Sequence, residues 1–203
     1  FGKNHTQQAK QIGAHFKSEF AKLRETIEGP KYFHQIVLEE YRYKGDALCR
    51  NVKKDLKENA EIYFEIIRQV EKSGNIAHIS EDSGQLDFLL ALDGPDRKIF
   101  SFIEDNEMRT ILQNSYITQK YGKLHFTDSF SDTLHPNIET VIVSSEKIAS
   151  EVISKLPKLS VKTIVLLKEN FSEQTENILT LGYQNVYRNT NISIFKPSGN
   201  TAK

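Results

Sequence analysis

The sequence predicts an α/β protein, a mostly parallel, doubly wound sheet closed by an antiparallel hairpin and preceded by an α-helical region. Three observations predict it. Residues 1–72 read as helical throughout. From residue 73 onward, short β-type runs at 76–79, 98–103, 123–127, 139–143 and 162–167 alternate with helical stretches at 84–92, 106–119, 146–155 and 172–181, the alternation that builds a parallel sheet with helices on both faces. The chain then ends in two β runs, 185–188 and 191–197, joined by Asn189-Thr190, which read as a hairpin.

In chain order, Gln8 to Ile27 places Ile12, His15, Phe16, Phe20, Leu23 and Ile27 at spacings of three and four, an amphipathic stripe stopped by Gly29-Pro30. A short helix over 31–42 carries Phe33, Ile36, Val37 and Tyr41. Gly45 ends it and Asp46 can cap the next. From Ala47 to Val70, the positions Leu48, Val52, Leu56, Tyr63, Ile66, Ile67 and Val70 keep one helical phase, predicting a continuous helix. Ser73-Gly74 then separates a helical region, 1–72, from a sheet domain, 73–197, with a frayed tail at 198–203.

Composition narrows the function classes. The 203 residues carry 27 Lys+Arg against 27 Asp+Glu, so no global charge draws the chain to nucleic acid. A local basic bias survives in RNVKKDLK, where Arg50, Lys53, Lys54 and Lys57 share a face opposite Leu48, Val52 and Leu56. That face is either solvated or a surface for anionic lipid headgroups. The single cysteine, Cys49, allows no internal disulfide and reads as packing. No apolar run is long enough to span a bilayer and no signal peptide opens the chain. The first residue is Phe1, which predicts a fragment of a longer polypeptide. His5, His15, His34, His78, His125 and His135 lack the H-x-x-x-H and H-E-x-x-H spacings of zinc sites, and neither G-x-S-x-G nor a P-loop is present.

The candidate site is NIAHISEDSGQLDFLLALDG, residues 75–94: a strand, a tight turn, then a helix. Strand–turn–helix is how many α/β proteins hold a nucleotide. Five β/α units and a terminal hairpin resemble the class I S-adenosylmethionine-dependent methyltransferase fold, a Rossmann-like seven-stranded sheet whose last strand lies antiparallel beside the fifth. In that family the first strand is followed by an acid and a glycine-rich turn, D/E-x-G-x-G-x-G. The resemblance puts His78 at the acid, Ser80 and Asp82 at the first two glycines with Glu81 between them, and Gly84 at the third. The glycines let the backbone approach the cofactor. A Cβ at a left-handed position costs about 1–2 kcal/mol, so Ser80 and Asp82 predict a reshaped loop. For the ribose the family uses an acid at the end of the second strand; the matching place is nearest Ile103, with Glu104 just beyond. After the third strand, Asp128 stands where an adenine contact would fall.

A narrower resemblance joins Tyr43-Lys44-Gly45, Leu48, Asn59, Gly84, Leu86, Leu90-Ala91, Pro95, Arg97 and Ile99. These look like the C-terminal methyltransferase-like region of Bacteroidetes fusions of an MMPL-type transporter with a lysophospholipid (glycerol-phosphate) acyltransferase. The loss of the acid and two glycines from the first turn predicts a degenerate, non-catalytic accessory domain with no cofactor, and the resemblance implies that its partners are the upstream transporter and acyltransferase domains. It also implies tethering to the cytoplasmic face of the inner membrane through the parent protein. The acyltransferase motif H-x-x-x-x-D is not in this chain. Two alternatives stand beside it: an active methyltransferase using S-adenosylmethionine through Gly84, Glu104 and Asp128, and a pocket for a nucleotide or lipid headgroup held by His78, Ser80 and Glu81.

Overall fold

The computed structural model describes residues 29–80, 83–121, 123–129, 133–134, 137–167 and 171–199. The stripe expected over 8–27 lies outside them, as do Glu81, Asp82 and His135. Three helices come first: α1 Gly29–Tyr41, α2 Asp46–Glu58 and α3 Ala60–Gln69. The sheet domain follows as β1 Asn75–Ile79, α4 Gln85–Asp93, β2 Ile99–Phe102, α5 Asn106–Gln113, α6 Tyr116–Tyr121 and β3 Leu124–Thr127. Then come β4 Ile138–Val143, α7 Glu146–Lys155, a 3-10 turn at Leu156–Lys158, β5 Thr163–Leu167, α8 Ser172–Thr180, β6 Tyr183–Arg188 and β7 Ile192–Pro197.

The seven strands form one sheet in the order β3-β2-β1-β4-β5-β7-β6. β1 to β5 run parallel; β7 lies antiparallel to β5, with Ile164 opposite Phe195, and β6 closes the edge as the outer half of the hairpin. The α/β reading with its terminal hairpin is therefore what the chain adopts. From β1 the chain winds outward through β2 and β3, then returns to β4 on the other flank. The β1–β4 boundary is thus the switch point at which ligands enter such sheets, above the strand C-termini.

Alternation along each strand divides the core in two. Ile76, Ile99, Ile142 and Val165 face α4 and the N-terminal helices, joining Phe33, Val37, Tyr41, Val52, Leu56, Ile66, Leu86 and Leu89 in one cluster. Ala77, Ile79, Val141, Val143, Ile164 and Leu166 face the other way, onto Ala149, Val152 and Ile153 of α7 and Ile178 of α8. α4 is buried over its whole length, sandwiched between the sheet and α1–α3; a helix wrapped on all sides is apolar on all sides. Its three polar residues are each met by a partner. Gln85 Nε2 donates to Asp55 Oδ2 at 2.7 Å, Asp87 accepts from His78, and Asp93 Oδ2 accepts from Arg97 Nη2 at 3.1 Å. Arg97 is fully buried and also donates to Leu90 O and Glu71 O, stitching the end of the helical layer to the sheet.

Two helices expected to be continuous are broken. The stretch 47–70 divides at Asn59, whose φ of −103° and ψ of 13° leave the helical region. Asn59 Nδ2 donates to Asp55 Oδ1 at 2.7 Å while Tyr63 Oη donates to Asp55 Oδ2 at 2.6 Å, a local side-chain exchange that competes with the helix. Helical phase survives the break, so the apolar spacing does not register it. The stretch 106–119 divides at Asn114-Ser115, where Ser115 Oγ turns back to donate to Leu112 O at 2.8 Å.

Candidate functional site

The switch-point edge is built from the turns that follow β1, β2, β3 and β4. Gly84 opens α4 in the left-handed conformation, φ +80°, and its carbonyl accepts the first helical hydrogen bond from Phe88 N at 3.1 Å. Side chains of the N-terminal layer hold this turn from outside. Tyr41 Oη donates to Ser83 O, and Gln85, bound to Asp55, also accepts from Ser83 N at 3.0 Å. The helices before the sheet therefore reach the C-terminal edge of β1 directly.

His78 is fully buried, and both ring nitrogens are engaged within the fold. Nδ1 stands 2.9 Å from Asp87 Oδ1 and Nε2 stands 3.0 Å from Ser144 Oγ. The second Asp87 oxygen accepts from Ser101 Oγ at 3.0 Å. β1, β2, α4 and the turn after β4 thus contribute one side chain each to a continuous buried chain, Ser101–Asp87–His78–Ser144. Ser80 is also buried, and its backbone N–H donates to Phe102 O at 3.3 Å, extending the β1–β2 ladder by one residue.

The other expected anchors have partners within the fold. Ile103, nearest the ribose-acid place, is buried, and its carbonyl accepts from Arg109 Nη1 at 2.9 Å. Glu104 lies exposed, 3.7 Å from Lys147 of α7. Asp105, next in the chain, caps α5 by accepting from Met108 N at 2.8 Å. Asp128 pairs with Arg109 at 2.9 Å. Among the described residues, a buried imidazole engaged on both ring nitrogens stands at the acid position and the apolar Ile103 nearest the ribose position, so neither of these two offers S-adenosylmethionine the family's carboxylate. Among the described residues, no group of three or more His, Cys, Asp and Glu could hold a metal ion, and no helix is long and apolar enough to cross a membrane.

Sequence reasoning singled out His78 and Gly84 at this edge and did not register Asp87, Ser101, Ser144 or Asp55. A signal existed for Asp87: a lone carboxylate inside LDFLLALD asks for a buried partner. Ser144, 66 residues from His78, gave none.

The fold is the Rossmann-like methyltransferase fold, and several solved structures similar to it are named as methyltransferases. Precorrin-6y C5,15-methyltransferase from Geobacter metallireducens GS-15 superposes with a TM-score of 0.53 at 14% identity, covering 67% of this chain and 86% of that one. TrmK of M. capricolum, solved with S-adenosyl-homocysteine, gives 0.51 at 12% identity over 66% of each chain. The B. subtilis M1A22 tRNA methyltransferase TrmK gives 0.52 at 10% identity over 67% of this chain and 65% of that one. At such identities the likeness shows the fold alone. No family model and no curated protein matches the chain.

Proposed function

We propose that this chain is a methyltransferase-like accessory domain that does not itself transfer methyl groups. Its parent would be a membrane-associated glycerol-phosphate or lysophospholipid acyltransferase fusion, with the transporter and acyltransferase regions as its partners and the cytoplasmic face of the inner membrane as its location. The observation that carries the first half is His78. At the place of the family's cofactor-binding acid stands a fully buried ring whose two nitrogens are taken by Asp87 and Ser144. The ion pairs of Glu104 with Lys147 and of Asp128 with Arg109 support the same reading. The fusion context rests on the scattered match from Tyr43 to Ile99 and on the basic face of α2.

Isothermal titration with S-adenosylmethionine tests it. The expected result is no saturable heat at micromolar concentrations; low-micromolar binding, with the cofactor seated above β1 in a co-crystal, would end the proposal.

One observation favours the second reading, an active methyltransferase with an atypical loop. Gly84 keeps the left-handed turn that brings the N-terminus of α4 to the switch point, and TrmK of M. capricolum holds S-adenosyl-homocysteine on the same fold. That reading predicts transfer of a labelled methyl group to a lipid or small acceptor, lost in Glu104→Ala.

A further inference from the structure

We propose that Ser144 is a nucleophile, activated by His78 and oriented through it by Asp87, that takes the acyl group of a small carboxylic ester or thioester. This goes beyond the reading above, which concerns the methyl donor only, and it stands or falls independently of that titration.

The geometry has the three parts such chemistry needs, in order. Ser144 Oγ lies 3.0 Å from His78 Nε2, and His78 Nδ1 lies 2.9 Å from Asp87 Oδ1. An Nδ1–H donated to Asp87 leaves the Nε2 lone pair facing the Ser144 hydroxyl, the tautomer a general base requires. Asp87 is itself fixed, because its other oxygen accepts from Ser101 Oγ at 3.0 Å. His78 and Asp87 are both buried, so in the resting fold the Ser144 hydroxyl, and not bulk water, faces Nε2. Ser144 is 6% exposed and sits at the switch point, in the strand-to-helix turn between β4 and α7, with its N–H bound to Ile79 O at 2.9 Å. Ser145 follows as the N-cap of the ten-residue α7. The positive end of that helix therefore lies beside the bond where negative charge would develop.

Replacing a buried ion pair by apolar side chains of similar volume is often neutral or stabilising. Here the hydroxyl stands at the ligand edge, the base beneath it and the acid beneath the base.

The step balances as follows. Ser144 Oγ bonds to the acyl carbon while its proton passes to His78 Nε2. The carbon–oxygen or carbon–sulfur bond of the ester or thioester breaks, and the departing alkoxide or thiolate takes that proton. Water that reaches the acyl-serine then gives a proton to His78 Nε2 and bonds to the acyl carbon; the carbon–Ser144 Oγ bond breaks, Oγ takes that proton back, and the carboxylic acid leaves.

A fluorophosphonate probe reads the first half of this step, with fluoride as leaving group. On the folded chain, intact-mass spectrometry should show one adduct per molecule, mapped to the peptide holding Ser144. Ser144→Ala should abolish it, and Asp87→Asn and His78→Ala should slow it about 100-fold or more. Ser144→Ala removes one oxygen and leaves the His78–Asp87 pair in place, so it decides the matter if the other variants do not fold; circular dichroism checks each. A folded chain left unlabelled after hours at millimolar probe, or an equal adduct on Ser144→Ala, overturns the proposal.

Discussion

Gly84 is a residue whose identity the backbone dictates. Its φ of +80° is open to glycine and strained for any L side chain, and a Cβ built there would lie 2.8 Å from both Cδ atoms of the buried Leu112. Gly84→Ala should therefore lower stability by about 1–2 kcal/mol from the backbone alone, with the Leu112 clash adding to it. The urea midpoint measures this; an unchanged midpoint would mean that the turn relaxes into another conformation. Gly84 was legible because a glycine at a strand–turn–helix junction has few other uses. His78 was legible only as a buried histidine at that junction. Its partners lie 9 and 66 residues away, and no local pattern encodes a hydrogen bond between a strand and the turn after another strand.

At the scale of elements, the turn above β1 depends on a helix that precedes the sheet. Asp55 of α2 accepts three hydrogen bonds, from Asn59, Tyr63 and Gln85, and Gln85 in turn holds Ser83 N. Asp55→Ala leaves three donors without that acceptor, one of them on the buried Gln85, at about 1–3 kcal/mol for such a loss. The expected outcome is a lower melting temperature together with faster amide exchange at Ser83 and Phe88, a combination that simple weakening of α2 would not give. If exchange quickens only within α2 and α3, the coupling across the layer boundary is absent. The same cluster explains what the sequence hid. Alternating strands and helices, and the hairpin, were legible because each depends on neighbours within a few residues. The breaks at Asn59 and Ser115 were not, because side-chain exchange bends the chain without disturbing the apolar phase on which the reading relied.

At the scale of the whole molecule, charge is balanced in number, 27 against 27, but not in place. Arg50, Lys53, Lys54 and Lys57 lie exposed at i, i+3, i+4 and i+7 on α2, opposite the buried Val52 and Leu56. Only Lys54 is matched to another described residue, Glu58, at a loose 3.9 Å. Tyr43, 86% exposed in the turn just before the helix, has the Arg42 guanidinium over its ring, and an aromatic beside cations suits the headgroup layer of a bilayer. Each basic residue close to an anionic surface contributes about 1 kcal/mol. Four of them give roughly 4 kcal/mol, about a millimolar affinity, too weak to anchor a free domain and sufficient to orient a tethered one. The isolated chain should therefore sediment only partly with vesicles rich in phosphatidylglycerol at about 10 mM salt, where the screening length is near 30 Å. It should be released at about 1 M salt, where that length falls to about 3 Å. Lys53→Glu with Lys57→Glu should abolish sedimentation and leave the melting temperature within about 1 °C, because neither side chain is packed against the core. Sedimentation that persists in high salt, or that is equal on neutral phosphatidylcholine, would assign the contact to apolar surface and leave this helix face a solvated one.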